Sequence, residues 1–506
     1  MRSTTWQGNC RWNTPYKLTN RSEERLLINF ATLLTQEQVE RTHAASLEIL
    51  ENVGLLVRNE KARTILKKHG CPEQEGTQII KFPPAVVEKY RAMIPSSFTF
   101  YGRDPKYDRT LPQDGPVIVT GSSAPDIIDP QTGKVRRARS EDIAQIAHLI
   151  QELPAYDVFS ISTLAEDAPE GQFTLARLYP SLKYCLKPIR STTKDMEDAA
   201  AVMQLLYTLA GSKEAYHQHP FVTHHYCPVI SPLTMDQLST EAMIFFCEAG
   251  LPVYPSIVPN AGLTSPMSMA GTLAQGNAEF LAISVLMQMV REGTPTIYAT
   301  LPTVADMRTG AYASGGIECG MLHMAFAQMA RFYNVPCGGY IGLSNSKIND
   351  AQSGYETGMS TTAGVLGGAD LLNMAGLLDA LKVFDFGKAV IDDEIAQMLK
   401  RLKRGIAFSE EELALQVIAQ IKPGGSFMMS PHTAKRMKSE ALLPRLADRE
   451  ARETWEKKGA LDTNARAMKR AREILAHAGA GLIPADVDMR IRAQFSNLVP
   501  GMPEKP

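Results

Sequence analysis

From Pro116 onward the chain repeats one unit, a short apolar or β-branched run followed by a longer segment able to form a helix. The runs are Val117 to Thr120, Tyr156 to Ser162, Pro188 to Thr192, Phe221 to Tyr226, Val253 to Val258, Thr296 to Ala299, Gly338 to Gly342 and Asp370 to Met374. Two parallel strands can be joined only by a long crossover, usually a helix, so this rhythm is the signature of repeated βα units in a parallel sheet. Eight units predict a closed (β/α)8 barrel of the α/β class over residues 116–402 rather than an open doubly wound sheet.

The flanks read differently. Thr35 and Gln38 stand in capping-box relation, and Val39, Leu47, Leu50 and Val53 recur near helical spacing, so a helix is expected from Thr35 with Gly54 as its stop. Short alternations at Leu55 to Val57, Gln78 to Phe82 and Phe98 to Tyr101 make residues 23–115 a mixed α+β N-terminal region, its edge marked by Pro112 and Gly115. Residues 403–506 become charged and helical, with Leu461, Ala465, Met468 and Leu475 on one face of a late helix, an extension expected to wrap the barrel. Residues 1–22 are expected to be flexible and the end from Pro500 to fray.

Composition removes several function classes. The 53 Lys and Arg balance 54 Asp and Glu for a formal net charge of -1, with no basic block, which argues against a nucleic-acid partner. The most hydrophobic stretch, Phe280 to Val290, is bounded by Glu279 and Arg291 and is too short to span a bilayer. Met1 to Arg21 lacks the apolar core of a secretory signal, and the seven scattered cysteines suit reduced thiols, so a cytoplasmic location is expected. Neither a Cys-x-x-Cys pair nor a His-Glu-x-x-His, P-loop, dinucleotide or Gly-x-Ser-x-Gly pattern occurs, and no metal site is expected. The length leaves a homo-oligomer open.

Barrels of this kind bind ligands where their strands end. The fourth run ends His224-His225-Tyr226, and because strand side chains alternate, at most one of the two histidines faces the interior. A long loop, Pro259 to Ser268, containing Asn260, follows the fifth run. The seventh unit holds the densest polar cluster: Tyr340, Asn345, Ser346, Lys347, Asn349, Asp350, Gln352, Tyr355 and Glu356. A plainer alternative makes Asp350 a helix cap and puts Glu356 in solvent.

Five ordered segments resemble the trimethylamine methyltransferase family, in the broad form that includes members without pyrrolysine, such as the glycine betaine:corrinoid methyltransferases. They are Pro228 to Leu233, Ala261 to Glu279, Ala305 to Gly310, Ser346 to Glu356, and Gly424 to Phe427 with Pro431 to Thr433. The resemblance implies a (β/α)8 barrel that moves a methyl group from a methylated amine to cob(I)alamin on a separate corrinoid protein. The trimethylamine branch uses pyrrolysine, whereas only standard residues occur from Tyr340 to Lys347. No Asp-x-His-x-x-Gly cobalamin motif is present, so the corrinoid is expected to arrive on its partner and not to bind this chain tightly.

A quaternary ammonium donor fits these absences, because its nitrogen is already cationic and a neutral amine can leave. On this basis glycine betaine is the expected donor, with trimethylamine, another betaine, or a non-catalytic methylated-amine-binding barrel as alternatives. The expected catalytic residues are Tyr340, Asn345 and Asp350. Tyr226, Tyr298 and Tyr340 would cage the ammonium, His224 or His225 would hold a substrate carboxylate, and Asn260, Gln352 and Glu356 would complete the substrate contacts.

Overall fold

The computed structural model describes residues 30–477, 479, 481–496, 498 and 502. The expectation for residues 1–22, and that for the end from Pro500 apart from Met502, lie outside the described residues. By compactness, residues 30–403 and 438–506 form one unit and residues 404–437 belong to a second.

Eight parallel strands build the core of the first unit: β1 (Val117–Thr120), β2 (Phe159–Ser160), β3 (Ile189–Ser191), β4 (Val222–Tyr226), β5 (Val253–Ile257), β6 (Tyr298–Thr300), β7 (Cys337–Gly339) and β8 (Leu371–Ala375). They neighbour one another in chain order, and β8 returns to β1. A parallel bridge between Val119 and Val158 closes the ring between β1 and β2. Every expected run overlaps its strand, five of them enclosing it, while β6, β7 and β8 each reach one residue beyond the expected run, so the (β/α)8 barrel is the fold. β7 stops at Gly339 rather than running to Gly342, because Gly339 has φ of 145° and Gly342 has φ of 97°, both outside extended backbone for an L-residue. A side chain at Gly339 would also run into the Thr300 carbonyl of β6.

Eight helices cover the strands: α1 (Ser140–Glu152), α2 (Phe173–Tyr184), α3 (Met196–Ala210), α4 (Leu238–Ala249), α5 (Met269–Val290), α6 (Ile317–Tyr333), α7 (Ala351–Gly367) and α8 (Phe386–Arg404). α5 is buried nearly all round and carries no Asp, Glu, Lys or Arg except Glu279. Among the described residues no helix is long and apolar enough to cross a membrane.

One end of the barrel is plugged. The hairpin of Phe98–Phe100 and Arg109–Leu111 inserts Phe98, Phe100 and Leu111 against Val117, Val119, Val158, Tyr254, Ile297 and Leu371. Val117 and Leu371 begin their strands, so the plug fills the N-terminal end and leaves access from the other. At that open end, the βα connections fold into small sheets rather than loose loops. One joins Asn260–Ala261, Thr303–Asp306 and Ala311–Ala313, and another joins Leu377–Leu378, Val383–Phe384, Asp126–Ile128 and Val135–Arg137. Strand pairing satisfies backbone groups at the mouth that water would otherwise have to serve.

The N-terminal helix spans Gln36–Asn52 with the Thr35–Gln38 capping box formed, and it packs on α5, where Ser46 Oγ accepts from Asn277 Nδ2 at 2.8 Å. In the C-terminal region, the helix Thr463–Ala476 packs on α1 and Ala485–Gln494 on α3. Its buried residues are Ala467, Ala471 and Ile474, with Met468 and Leu475 at the edge and Leu461 outside. Small alanines are what a helix lying close on another can accommodate. Residues 404–437 contain the short helices Glu410–Leu413 and Leu415–Ile421, the first capped by Ser409 Oγ accepting from Glu412 N at 3.1 Å.

Candidate active site

Alternation along β4 sorts its three terminal residues. His224 points outward, where its ring stacks on Phe246 of α4 at 3.5 Å, and neither ring nitrogen has a partner among the described residues. Burial pulls its pKa down to about 3, so the ring is neutral. Tyr226 also points outward, its hydroxyl 2.7 Å from Thr193 Oγ1. His225 faces the lumen, with Nε2 at 2.8 Å from Ser256 Oγ and its ring 4.9 Å from that of Tyr254. Burial, joined by the charge of Arg190, holds His225 well below its ordinary pKa and keeps it uncharged.

The centre of the lumen is Arg190, the inward residue of β3, 2% exposed. Its Nε donates to Ser160 Oγ at 2.9 Å, Nη1 to Tyr254 Oη at 3.0 Å, and Nη2 to Ser122 Oγ at 3.0 Å and Tyr340 Oη at 2.9 Å. With its amide oxygen turned toward the guanidinium, Asn373 of β8 accepts from both Nη1 and Nη2. These acceptors come from β2, β5, β8 and the segments after β1 and β7, so one side chain ties the barrel together across its diameter. Burial opposes the charge, while the Tyr254 and Tyr340 hydroxyls favour it strongly enough to leave the pKa above its ordinary value.

Above Arg190 stands an apolar and aromatic collar. Leu301, Tyr340 and Leu343 pack together, joined by Val258, Tyr312 and Leu381. The Tyr340 ring centroid lies 5.3 Å from the Arg190 guanidinium carbon, and its hydroxyl donates to the Ser122 carbonyl at 3.2 Å. Cys227, two residues past His225 on the same side of the chain, is accessible to solvent. Burial nonetheless lifts its thiol to about 11, partly opposed by Arg190. A separate cavity of about 450 Å³ lined by Phe173, Thr174 and Thr192 to Lys194 lies at the end of β3.

The other expected site residues are placed as follows. Tyr298 lies between strand and helix, stacked on Phe280 at 3.8 Å with its hydroxyl donating to Asn277 Oδ1 at 2.7 Å. Of the expected cage of Tyr226, Tyr298 and Tyr340, only Tyr340 therefore reaches the lumen, where Tyr254 and Tyr312 are its aromatic companions. The polar cluster of the seventh unit shapes a loop. Asp350 caps α7, accepting from Ser353 N at 3.1 Å and Ser346 Oγ at 2.9 Å. Glu356 does not face solvent; it accepts from Ser344 Oγ at 2.7 Å, Asn345 N at 2.8 Å and Gln352 Nε2 at 2.9 Å. Asn345 accepts from Gly315 N and donates to the Tyr312 carbonyl, both at 2.8 Å, which pins the segment that carries Tyr312. Asn260 sits in the mouth sheet, with its amide oxygen buried and unpartnered among the described residues. Arg190 is not among the residues expected from the sequence, although a lone arginine flanked by Ile189 and Ser191 in a buried strand is a visible signal.

Among the described residues no group of three or more His, Cys, Asp or Glu side chains could hold a metal ion. The family model described as trimethylamine methyltransferase (MTTB) matches residues 16–497. This chain belongs to the trimethylamine methyltransferase (MTTB) family. A glycine betaine methyltransferase of Desulfitobacterium hafniense (strain Y51) is 33% identical over 464 residues, 91% of this chain and 96% of that protein. A trimethylamine methyltransferase MttB of Desulfitobacterium hafniense (strain DSM 10664 / DCB-2) is 28% identical over 91% of this chain and 92% of its own length. Another, from Methanosarcina thermophila, is 30% identical over 90% of this chain and 95% of its own.

Several segments that carry the MTTB resemblance do structural work here. Glu279, on α5, accepts from Ser231 Oγ at 2.6 Å, Leu233 N at 2.9 Å and Gln275 Nε2 at 3.0 Å, so it locks the Pro228 to Leu233 turn beside the end of β4. Asp306 accepts from Arg308 N at 2.9 Å and from Nη2 at 2.7 Å, which closes its own hairpin. Scaffold of this kind holds lumen residues in fixed positions, as catalysis by orientation requires.

Proposed function

We propose that this chain moves a methyl group from a quaternary ammonium compound, glycine betaine first among them, to cob(I)alamin carried by a separate corrinoid protein in the cytoplasm. The observation that carries the reading is the collar of Tyr312, Tyr340, Leu301 and Leu343 around the open end of the lumen. Aromatic and apolar faces suit a methylated cation, which offers no N–H to hydrogen-bond. The name of the 33% identical relative adds to this, since it is a glycine betaine methyltransferase.

In the reaction, the methyl carbon–nitrogen bond breaks with its electron pair remaining on nitrogen, and the electron pair of cob(I)alamin forms the new bond to carbon. Glycine betaine leaves as neutral-nitrogen dimethylglycine, so no proton has to be delivered. The protein's part is to hold the ammonium in line, exclude water and surround the reacting carbon with fixed groups. Neutral His225 adds no charge to that space. Tyr340 is the proposed substrate-contacting residue from the expected catalytic set, with Asn345 and Asp350 acting through the loops they hold.

Incubating the protein with cob(I)alamin and a panel of betaines, trimethylamine and choline tests the reading. Methylcobalamin should form with glycine betaine; its absence with every member of the panel would overturn the proposal. Ligand binding without turnover would instead support a methylated-amine-binding barrel.

A further inference from the structure

Arg190 carries a charge for which no ion pair is formed among the described residues. Its partners are Ser160, Tyr254, Ser122, Tyr340 and Asn373, all neutral, and among the described residues no acidic side chain is its hydrogen-bond or ion-pair partner. Other buried cations in the molecule are treated differently. Lys388 is ion-paired with Asp392, Lys187 lies in the field of Asp157 and Asp393, and Arg177 in that of Asp198. Neutral hydroxyl and amide dipoles stabilise the guanidinium without cancelling its charge, so the floor of an open lumen keeps a positive potential that an anion can use.

We infer that Arg190, together with the Tyr340 and Ser122 hydroxyls it holds, forms an anion subsite, so that the substrate is a zwitterion bound with its carboxylate toward the barrel floor. This rests on reading the chain as a quaternary-amine methyltransferase. The geometry supplies the donors. Tyr340 Oη accepts from Arg190 Nη2, which leaves its own proton to give, and that proton now goes to the Ser122 carbonyl at a long 3.2 Å. A carboxylate entering here exchanges that weak contact for a charge-assisted one in the field of the guanidinium. Ser122 Oγ, 3.0 Å from Tyr340 Oη, is the second hydroxyl within reach.

The same charge orients the rest of the molecule. Arg190 repels an ammonium and attracts a carboxylate, so the quaternary nitrogen is driven up into the Tyr312 and Tyr340 collar with an N-methyl group toward the mouth, where the acceptor approaches. Tetramethylammonium, choline and the methyl ester of glycine betaine have the cation but no anion to set against Arg190. They should be discriminated against by charge, not by size.

Isothermal titration of the wild-type chain with glycine betaine, its methyl ester and tetramethylammonium reads the subsite without any corrinoid. Glycine betaine should bind at least tenfold more tightly than either cation. Arg190→Gln should erase that preference and raise KM for glycine betaine at least tenfold with a smaller change in kcat, while Arg190→Lys restores part of it. Tyr340→Phe keeps the ring and should lose part of the preference, and it decides the matter if Arg190→Gln does not fold. Equal binding of tetramethylammonium by the wild type, or an unchanged preference in folded Arg190→Gln or Tyr340→Phe, would overturn the subsite. A retained preference with no methyl transfer to any acceptor would leave the subsite standing and sink the proposed reaction; methyl transfer without preference would do the reverse.

Discussion

The rings of His224 and Phe246 stack at 3.5 Å with 15° between their planes, sealing a histidine into the layer between β4 and α4. With both nitrogens unpartnered among the described residues, His224 costs stability relative to an apolar ring, about 1–3 kcal/mol on the scale of buried unsatisfied polar groups. The cost depends on pH. Its folded pKa is depressed to about 3 from 6.5, so its contribution is most favourable above 6.5 and is lost as pH falls from there toward 3. His224→Phe should therefore stabilise the protein at pH 7.5 and stabilise it further at pH 5.5, by about 1.4 kcal/mol more. Urea unfolding at the two pH values checks this; equal gains at both would show that His224 is protonated freely in the folded chain.

Asn345 reaches substrate only through Tyr312, if the collar is the binding site. Its two 2.8 Å bonds, to Gly315 N and the Tyr312 carbonyl, hold the strand Ala311–Ala313 against the seventh loop. Asn345→Ala should raise KM for the methyl donor several-fold, with a fall in kcat no larger, and cost about 1–3 kcal/mol of stability from the two lost partners. Steady-state kinetics separates this from a direct catalytic role, for which kcat would collapse while KM held.

Glu279 is 0% exposed, yet among the described residues it serves three donors and no cation. Burial raises its pKa, and its hydrogen bonds from Leu233, Ser231 and Gln275 only partly offset that. Because the folded pKa is raised, the penalty is present at high pH and is relieved as pH falls through it. Glu279→Ala strands Leu233 N and Ser231 Oγ in the interior, so a loss of about 2–4 kcal/mol is expected. Thermal denaturation of the variant measures it, and a change below about 1 kcal/mol would mean that water replaces the carboxylate.

The barrel was legible because parallel strands are buried on both faces and read as unbroken apolar runs, such as Val117 to Thr120 and Leu371 to Ala375. Strand alternation also foretold that His224 and His225 would part company, though not which would face inward. The lumen was less legible. Arg190 meets residues 30 to 183 positions away in the chain, and no periodicity announces which side chains a barrel brings face to face. The cluster around Asp350 and Glu356 was ambiguous for the opposite reason: polar density looks the same whether it builds a site or clamps the loop beside one.

The mouth of the barrel carries exposed apolar side chains on neighbouring loops: Leu263 is 57% exposed, Met267 54% and Met307 62%. Met267 and Met307 flank Gly262, where an added Cβ would come 2.9 Å and 3.0 Å from their sulfurs, so the connections after β5 and β6 converge there. In the proposed transfer, a corrinoid protein that covers the lumen would bury this rim, and flexible methionines adapt to such a partner. Leu263→Glu and Met307→Glu place charges in that interface while lying outside the collar. Each should raise KM for the corrinoid protein tenfold or more and leave both glycine betaine binding and methylation of free cob(I)alamin unchanged. Should free cob(I)alamin be affected equally, these loops act on the lumen itself and the docking face lies elsewhere.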